Sequence, residues 1–154
     1  MDDVKLIRTN LDHASFRELV ILLDKDLAIR DGEEHAFYAQ FNKADAIKEV
    51  VVAFLNNIPV GCGAIKSFSE TAAEVKRMFV HPGSRKKGVA IKILAELENW
   101  ASELGFSECF LEKGKKQPEA IALYQKVGYH IIPNYGQYIG IDNSVCMLKA
   151  LAKC

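Results

Sequence analysis

The run Glu74-Val-Lys-Arg-Met-Phe-Val-His-Pro-Gly-Ser-Arg-Lys-Lys-Gly-Val-Ala90 decides how the rest of the chain is read. Val75 to Val80 reads as a buried strand with polar residues interspersed. His81-Pro82-Gly83-Ser84 ends it, because Pro82 removes a backbone donor and Gly83 allows positive φ. Arg85-Lys86-Lys87-Gly88-Val89-Ala90 then runs into a long apolar-periodic segment. A strand, a basic glycine loop and a helix start are the parts of an anion site. The first N–H groups of a helix lack intrahelical partners, and the macrodipole places roughly half a positive charge there. Gly88 and Ala90 leave room for a diphosphate against the backbone. The loop is neither Gly-x-x-x-x-Gly-Lys-Ser/Thr nor Gly-x-Gly-x-x-Gly, which disfavours a nucleotide-binding domain of either kind.

Outward from this stretch the pattern is regular. On its N-terminal side, Ile47 to Leu55 and Ile58 to Phe68 read as strands joined by a hairpin turn at Asn56-Asn57. Gly61 and Gly63 predict a bulge or a close backbone approach in the second strand. With the strand carrying Glu74 these make an antiparallel meander. Further back, Val4 to Arg8 alternates as a strand. Phe16, Leu19, Val20, Leu23 and Leu27 recur at helical spacing over His13 to Ile29, with Asn10 or Asp12 as cap. Glu33 to Phe41 is expected to hold a short second helix.

On the C-terminal side, Val89 to Leu104 is the clearest helix, with Ala90, Ile93, Leu94, Leu97, Ala101 and Leu104 on one stripe and Gly105 as its stop. Ser107 to Glu112 is a strand, and a crossover of this length predicts that it lies parallel to the strand carrying Glu74. Pro118 opens another helix and Gly128 closes it. Tyr129 to Ile132 and Val145 to Leu148 are strands flanking a polar, glycine-containing segment, 134–143.

Composition narrows the functional classes. The 154 residues suit a single domain, 1–154, with a substantial core. Lys+Arg and Asp+Glu balance at 20 each, which argues against a general nucleic-acid or anionic-membrane binder. The basic residues cluster locally, at Arg85 to Lys87 and at Lys113, Lys115 and Lys116, as suits a small multiply charged ligand. No signal peptide or membrane-length apolar run is visible. Cys62, Cys109, Cys146 and Cys154 lack Cys-x-x-Cys spacing, so no metal site is expected. The first three sit in apolar runs and read as buried free thiols. These features together predict a cytoplasmic protein.

Arg85, Gly88 and Ala90 occupy the fixed positions of Arg/Gln-x-x-Gly-x-Gly/Ala, and Val80-His81-Pro82 precedes them. In this the segment resembles the acyl-CoA pyrophosphate loop of the GNAT superfamily of N-acetyltransferases. A second segment, Pro118-Glu-Ala-Ile-Ala-Leu-Tyr-Gln-Lys-Val-Gly-Tyr129, is similar to the family's Asn-x-x-Ala-x-x-Leu-Tyr-x-x-x-Gly-Phe. Ala120, Leu123, Tyr124 and Gly128 keep their places, whereas Gln117 stands for Asn and Tyr129 for Phe. The resemblance runs from about Val50 to the end. It implies an α/β fold: a central mixed, mostly antiparallel sheet, helices on both faces, and a parallel pair splayed around the acyl-CoA site.

The chemistry so implied is acetyl transfer from acetyl-CoA to a primary amine by direct attack in a ternary complex. An alkyl amine of pKa about 10 must lose a proton before attack, attack creates an oxyanion, and collapse releases a thiolate. The resemblance assigns Tyr124 as the acid beside the sulfur and Glu74 as the base, with Glu112 a weaker alternative. His81 reads as structural or solvent-exposed. Main-chain groups at Met78, Phe79 and Val80 are expected to meet the cofactor, with a backbone N–H near Phe79 or Val80 as the oxyanion donor. Arg85, Lys86, Lys87, Gly88, Val89 and Ala90 are expected to hold the pyrophosphate, with Gln117 and Tyr124 completing the cofactor set. Segments 33–41 and 134–143 would build the acceptor pocket, with Phe37, Tyr38, Tyr135 and Tyr138 as walls. Glu33, Glu34 or Asp142 would attract a cationic amine. A small-molecule amine is the expected acceptor, a protein or peptide amine the alternative. A sensor that binds acyl-CoA without turnover is the competing class. The family resemblance also allows a homodimer.

Overall fold

In the computed structural model the described residues are 4–10, 12–31, 49–85 and 88–151. The elements are β1 (Val4–Thr9), α1 (Ala14–Asp31), β2 (Glu49–Leu55), β3 (Ile58–Ser67), β4 (Ala72–Val80), α2 (Val89–Glu103), β5 (Glu108–Gly114), α3 (Pro118–Lys126), β6 (His130–Ile132) and β7 (Ser144–Ala150). The helix expected at Glu33 to Phe41 lies outside the described residues, as do Lys86, Lys87 and Cys154 and the side chain of Leu27.

All seven strands form one sheet in the order β1-β2-β3-β4-β5-β7-β6. β4 and β5 pair in parallel, as the crossover length predicts, and the other neighbours are antiparallel. The meander of β2, β3 and β4 is present, and its first turn has Asn56 at φ 52 and Asn57 at φ 65. Two consecutive positive φ values are what a two-residue hairpin loop requires, and Asn tolerates them. The last strand does not simply extend the sheet. β7 inserts between β5 and β6, with Leu111 opposite Met147 on one side and Ile131 opposite Met147 on the other.

The sheet is covered on both faces. On one, Val89, Ile93, Leu94, Leu97 and Ala101 of α2 are buried against Val51, Ile65, Val75 and Leu111. Burying the four larger of those helix side chains contributes on the order of 10 kcal/mol before chain entropy is counted. Leu104, expected on this stripe, is the C-cap instead and is 49% exposed. The following Gly105, at φ +98, lets the chain turn back. On the other face, Phe16, Leu19 and Leu23 of α1 pack on Val50, Val52, Cys62, Ala64 and Phe79. The helix start is capped by neither expected residue. His13 Nδ1 accepts from the Ser15 N–H at 3.2 Å, while Asn10 accepts the N–H of Asp12 in a preceding turn.

Gly61 and Gly63 meet both sequence expectations. A Cβ at Gly63 would lie 2.5 Å from Met78 Sδ and 2.8 Å from Leu97 Cδ1. One at Gly61 would lie 2.9 Å from Ile93 Cδ1. These two positions therefore let α2 settle directly on β3. The register of β2 with β3 also shifts, skipping Val60. Cys62, Cys109 and Cys146 are buried free thiols. Burial raises Cys62 and Cys109 to about 12 and Cys146 to about 11. Among the described residues, no helix is long and apolar enough to cross a membrane and no group of side chains could hold a metal ion.

Candidate active site

The parallel pairing of β4 with β5 is brief. Ala72 faces Glu108, Ala73 faces Cys109 and Glu74 faces Phe110, and there it stops. Beyond this point β4 continues along β3 to Val80, and β5 continues along β7 to Gly114. Each strand keeps its outer neighbour and loses its inner one. The result is a fork whose inner edges carry main-chain groups with no partner strand.

A bulge lies just past the fork. Cys62 stands opposite Phe79 but Ala64 opposite Lys76, so β4 carries one extra residue over that interval. Arg77, within it, has φ +58. An inserted residue reverses the side-chain alternation. Ala73 and Val75 point into the core beneath α2 before the bulge, and Met78 and Val80 do so after it. Phe79 consequently turns toward α1.

A cleft of about 500 Å³ opens at the fork. Met78, Phe79 and Val80 line one side, and Arg85, Gly88, Val89 and Ala90 line its end. Gln117 and Tyr124 lie on the side formed by α3. The nine described members of the cofactor set thus share one cavity. Gly88 is the N-cap of α2, left-handed at φ 77, with no side-chain cap. The first helical bond runs from Lys92 N to Gly88 O, so the N–H groups of Val89, Ala90 and Ile91 precede the helical ladder. A Cβ on Gly88 would meet nothing within 4 Å, which marks the loop as open to a ligand. Uncapped N–H groups, a left-handed glycine and the nearby Arg85 suit a phosphate group. Arg85 also ties the loop to the strand, donating from Nε to Val80 O at 2.9 Å. His81 is exposed and accepts the Gly83 N–H at 3.3 Å, a turn role in line with the sequence reading.

Tyr124 is 2% exposed, and burial alone drives its phenol above the ordinary range. Its ring meets Tyr129 edge-on at 5.6 Å, and Lys113 Nζ lies 5.7 Å from its centroid. Tyr129 is held in turn. Its hydroxyl donates to Glu98 Oε2 at 3.0 Å, and Lys149 donates to Glu98 Oε1 at 2.8 Å. The phenol that departs from the family's Phe is thus anchored to α2.

Glu74 is not among the cleft-lining residues; it is buried at the last paired position of the fork. It accepts from the Tyr135 hydroxyl at 2.8 Å and faces Lys76 Nζ at 3.5 Å. Lys76 donates to the Tyr138 hydroxyl at 3.1 Å. Burial lowers the Lys76 pKa, and Glu74 and Glu112 partly oppose that. Burial first, then Glu74, raises both Tyr135 and Tyr138. Tyr135 also packs against Phe68 at 5.1 Å and Phe110 at 5.2 Å. Two of the four expected aromatic walls, Tyr135 and Tyr138, are therefore beside Glu74, while Phe37, Tyr38, Glu33 and Glu34 lie outside the described residues. Asp142 is exposed.

Sequence reasoning did not anticipate Leu23 or Ser84 in the cleft, whereas Lys113, which also lines it, belongs to the basic cluster expected to suit a charged ligand. Leu23 is an ordinary core position of α1, and nothing local marks it.

The acetyltransferase (GNAT) family profile matches residues 16–129. An IAA acetyltransferase of Azospirillum brasilense is 39% identical over 102 residues, 66% of this chain and 67% of that protein. A Klebsiella pneumoniae structure assigned as an acyl-CoA N-acyltransferase superposes with TM-score 0.78 and 27% identity, covering 99% of both chains. A GNAT acetyltransferase of Elizabethkingia anophelis with acetyl-CoA bound gives TM-score 0.71 at 16% identity, covering 98% and 100%, a likeness of fold. The chain belongs to the GNAT acetyltransferase family. It is by class an N-acetyltransferase, from a family that uses acyl-CoA and acts on amines.

Proposed function

We propose that the forked cleft binds acetyl-CoA and that the protein transfers its acetyl group to the primary amine of a small molecule, by direct attack in a ternary complex. The observation that carries this reading is the cleft itself: unpaired strand edges at one end, an uncapped helix start at the other, and Tyr124 on the wall between. Acetyl-CoA supplies an activated thioester. The first N–H groups of α2, with Arg85, Lys86 and Lys87, hold the pyrophosphate, and Gln117 adds a contact. Main-chain groups at Met78 to Val80 hold the pantetheine arm and donate to the carbonyl oxygen as charge develops. A preorganised donor of that kind is worth about 10²–10³ in rate.

Tyr124 is the acid. A buried phenol stays protonated at neutral pH, yet its raised pKa makes full transfer to a thiolate of pKa about 8.5 uphill. Tyr124 therefore acts by hydrogen-bonding the departing sulfur, aided by the positive charge of Lys113 beside the ring. Glu74 takes the amine proton through water, oriented by Tyr135 and Lys76.

The test is thiol release from acetyl-CoA across a panel of small amines and lysine peptides, with wild type, Tyr124→Phe and Glu74→Gln compared. Release with small amines, falling about 10²-fold or more in Tyr124→Phe, is expected. A Tyr124→Phe loss below tenfold would remove it as the acid, and turnover with peptides alone would replace the acceptor class.

A further inference from the structure

We infer that Arg77 and Asp24 form a latch that joins two walls of the cleft, making them a positioning pair for acyl-CoA. This rests on the cleft being the acyl-CoA site. Arg77 is the residue of the β4 bulge with φ +58, a conformation uncommon for a non-glycine residue. Glycine would adopt it without strain, so an arginine at that place needs a reason in its side chain. The side chain is 7% exposed, and its Nη1 donates to Asp24 Oδ1 at 3.0 Å. Its Nε is buried with no hydrogen-bond partner among the described residues. The Arg77 carbonyl also accepts from Cys62 Sγ at 3.3 Å, which fixes the bulge to β3.

What the pair connects gives it a role beyond stability. Asp24 follows Leu23 on α1, and Leu23 lines the cleft. Arg77 precedes Met78, Phe79 and Val80, which line it from β4. One ion pair thus sets both the distance of α1 from β4 and the direction in which the main chain leaves the bulge. Neither residue touches the cleft, so both act through their neighbours.

The experiment is calorimetric titration of acetyl-CoA into wild type, Arg77→Gly, Asp24→Asn and the double variant Arg77→Asp/Asp24→Arg, each with its thermal midpoint. Arg77→Gly keeps the bulge backbone while removing the pair, and Asp tolerates positive φ better than most residues, so the swap is compatible with the bulge. Each single variant is expected to bind about fivefold more weakly, and the swap to return within about twofold of wild type. A merely structural pair would shift the thermal midpoint and leave the affinity of the folded protein unchanged; that result overturns the inference. A swap that binds no better than the single variants overturns it too. If wild type itself fails to bind acetyl-CoA, the reading of the cleft has failed instead.

Discussion

Gly88 offers the sharpest test of the phosphate assignment, because strain, bulk and charge can be separated there. The residue sits at φ 77 and ψ 9 at the start of α2, and a Cβ would project into open space. Any L-residue pays the left-handed penalty, about 1–2 kcal/mol. That penalty falls on free and bound protein alike, so Gly88→Ala should lower the thermal midpoint with little change in acetyl-CoA affinity. Gly88→Gln adds bulk without charge. Gly88→Glu adds the same bulk and one negative charge. At about 4 Å a unit-charge pair is worth about 1 kcal/mol in a water-like setting and about 4 kcal/mol at an effective dielectric of 20. Gly88 is exposed, which favours the lower end, but a diphosphate doubles the opposing charge. The Glu variant should therefore bind roughly 10–10³-fold more weakly than the Gln variant. Calorimetry at low salt measures both, and added salt should narrow the gap. Equal affinities for Gln and Glu would mean that no phosphate lies near Gly88, and the proposed orientation of the cofactor would fall.

Three further outcomes follow from the packing. Gly63→Ala should destabilise the fold by about 1–3 kcal/mol, because the new methyl overlaps Met78, Leu97 and Ile93; it should also weaken acetyl-CoA binding through Met78, and a variant as stable as wild type in urea would refute the close approach. Tyr129→Phe should cost about 1 kcal/mol or more of stability, since Glu98 loses a hydrogen bond, and reduced turnover per folded molecule would show that Tyr129 steadies Tyr124. Alkaline pH should unfold the protein steeply. Tyr124, Tyr129, Tyr135 and Tyr138 all have pKa values raised by burial, so the unfolded chain loses its phenolic protons first. Their contribution is complete below pH about 10 and declines above it, by at most about 5 kcal/mol per pH unit for the four together. The buried thiols add to this from about pH 8.5. Phenolate absorbance from these four and circular dichroism should change together; more phenolate in folded protein than the remaining tyrosine, Tyr38, can supply would contradict the burial argument.

The parts of the fold legible in the sequence are those where local chemistry and packing agree. Asn56-Asn57, Gly105, Pro118 and Gly128 each mark a boundary by a backbone preference, and the structure turns at each. The α2 stripe and the parallel crossover follow from periodicity and length. The bulge at Arg77 was not legible, because an arginine carries no signal for positive φ and the register shift depends on β3. Nor was the insertion of β7, since strand order is a long-range choice with no local mark. At the site, the loop and the Tyr124 segment were readable because main-chain binding constrains residue size and spacing. Leu23 and the Glu98–Tyr129–Lys149 anchor were not, because each joins the site only through contacts made in three dimensions.

The place of β7 has a consequence for how the chain acquires its shape as it is made. The final strand among the described residues, Ser144–Ala150, is hydrogen-bonded on both edges and supports the outer edge of β5 along seven residue pairs. Until it has emerged, β5 has only its short contact with β4, and β6 has no neighbour in the sheet. A nascent chain can therefore complete the meander of β2, β3 and β4 and dock α2 well before the far arm of the fork exists. The two arms belong to successive stages of synthesis, and the cleft between them forms after the meander.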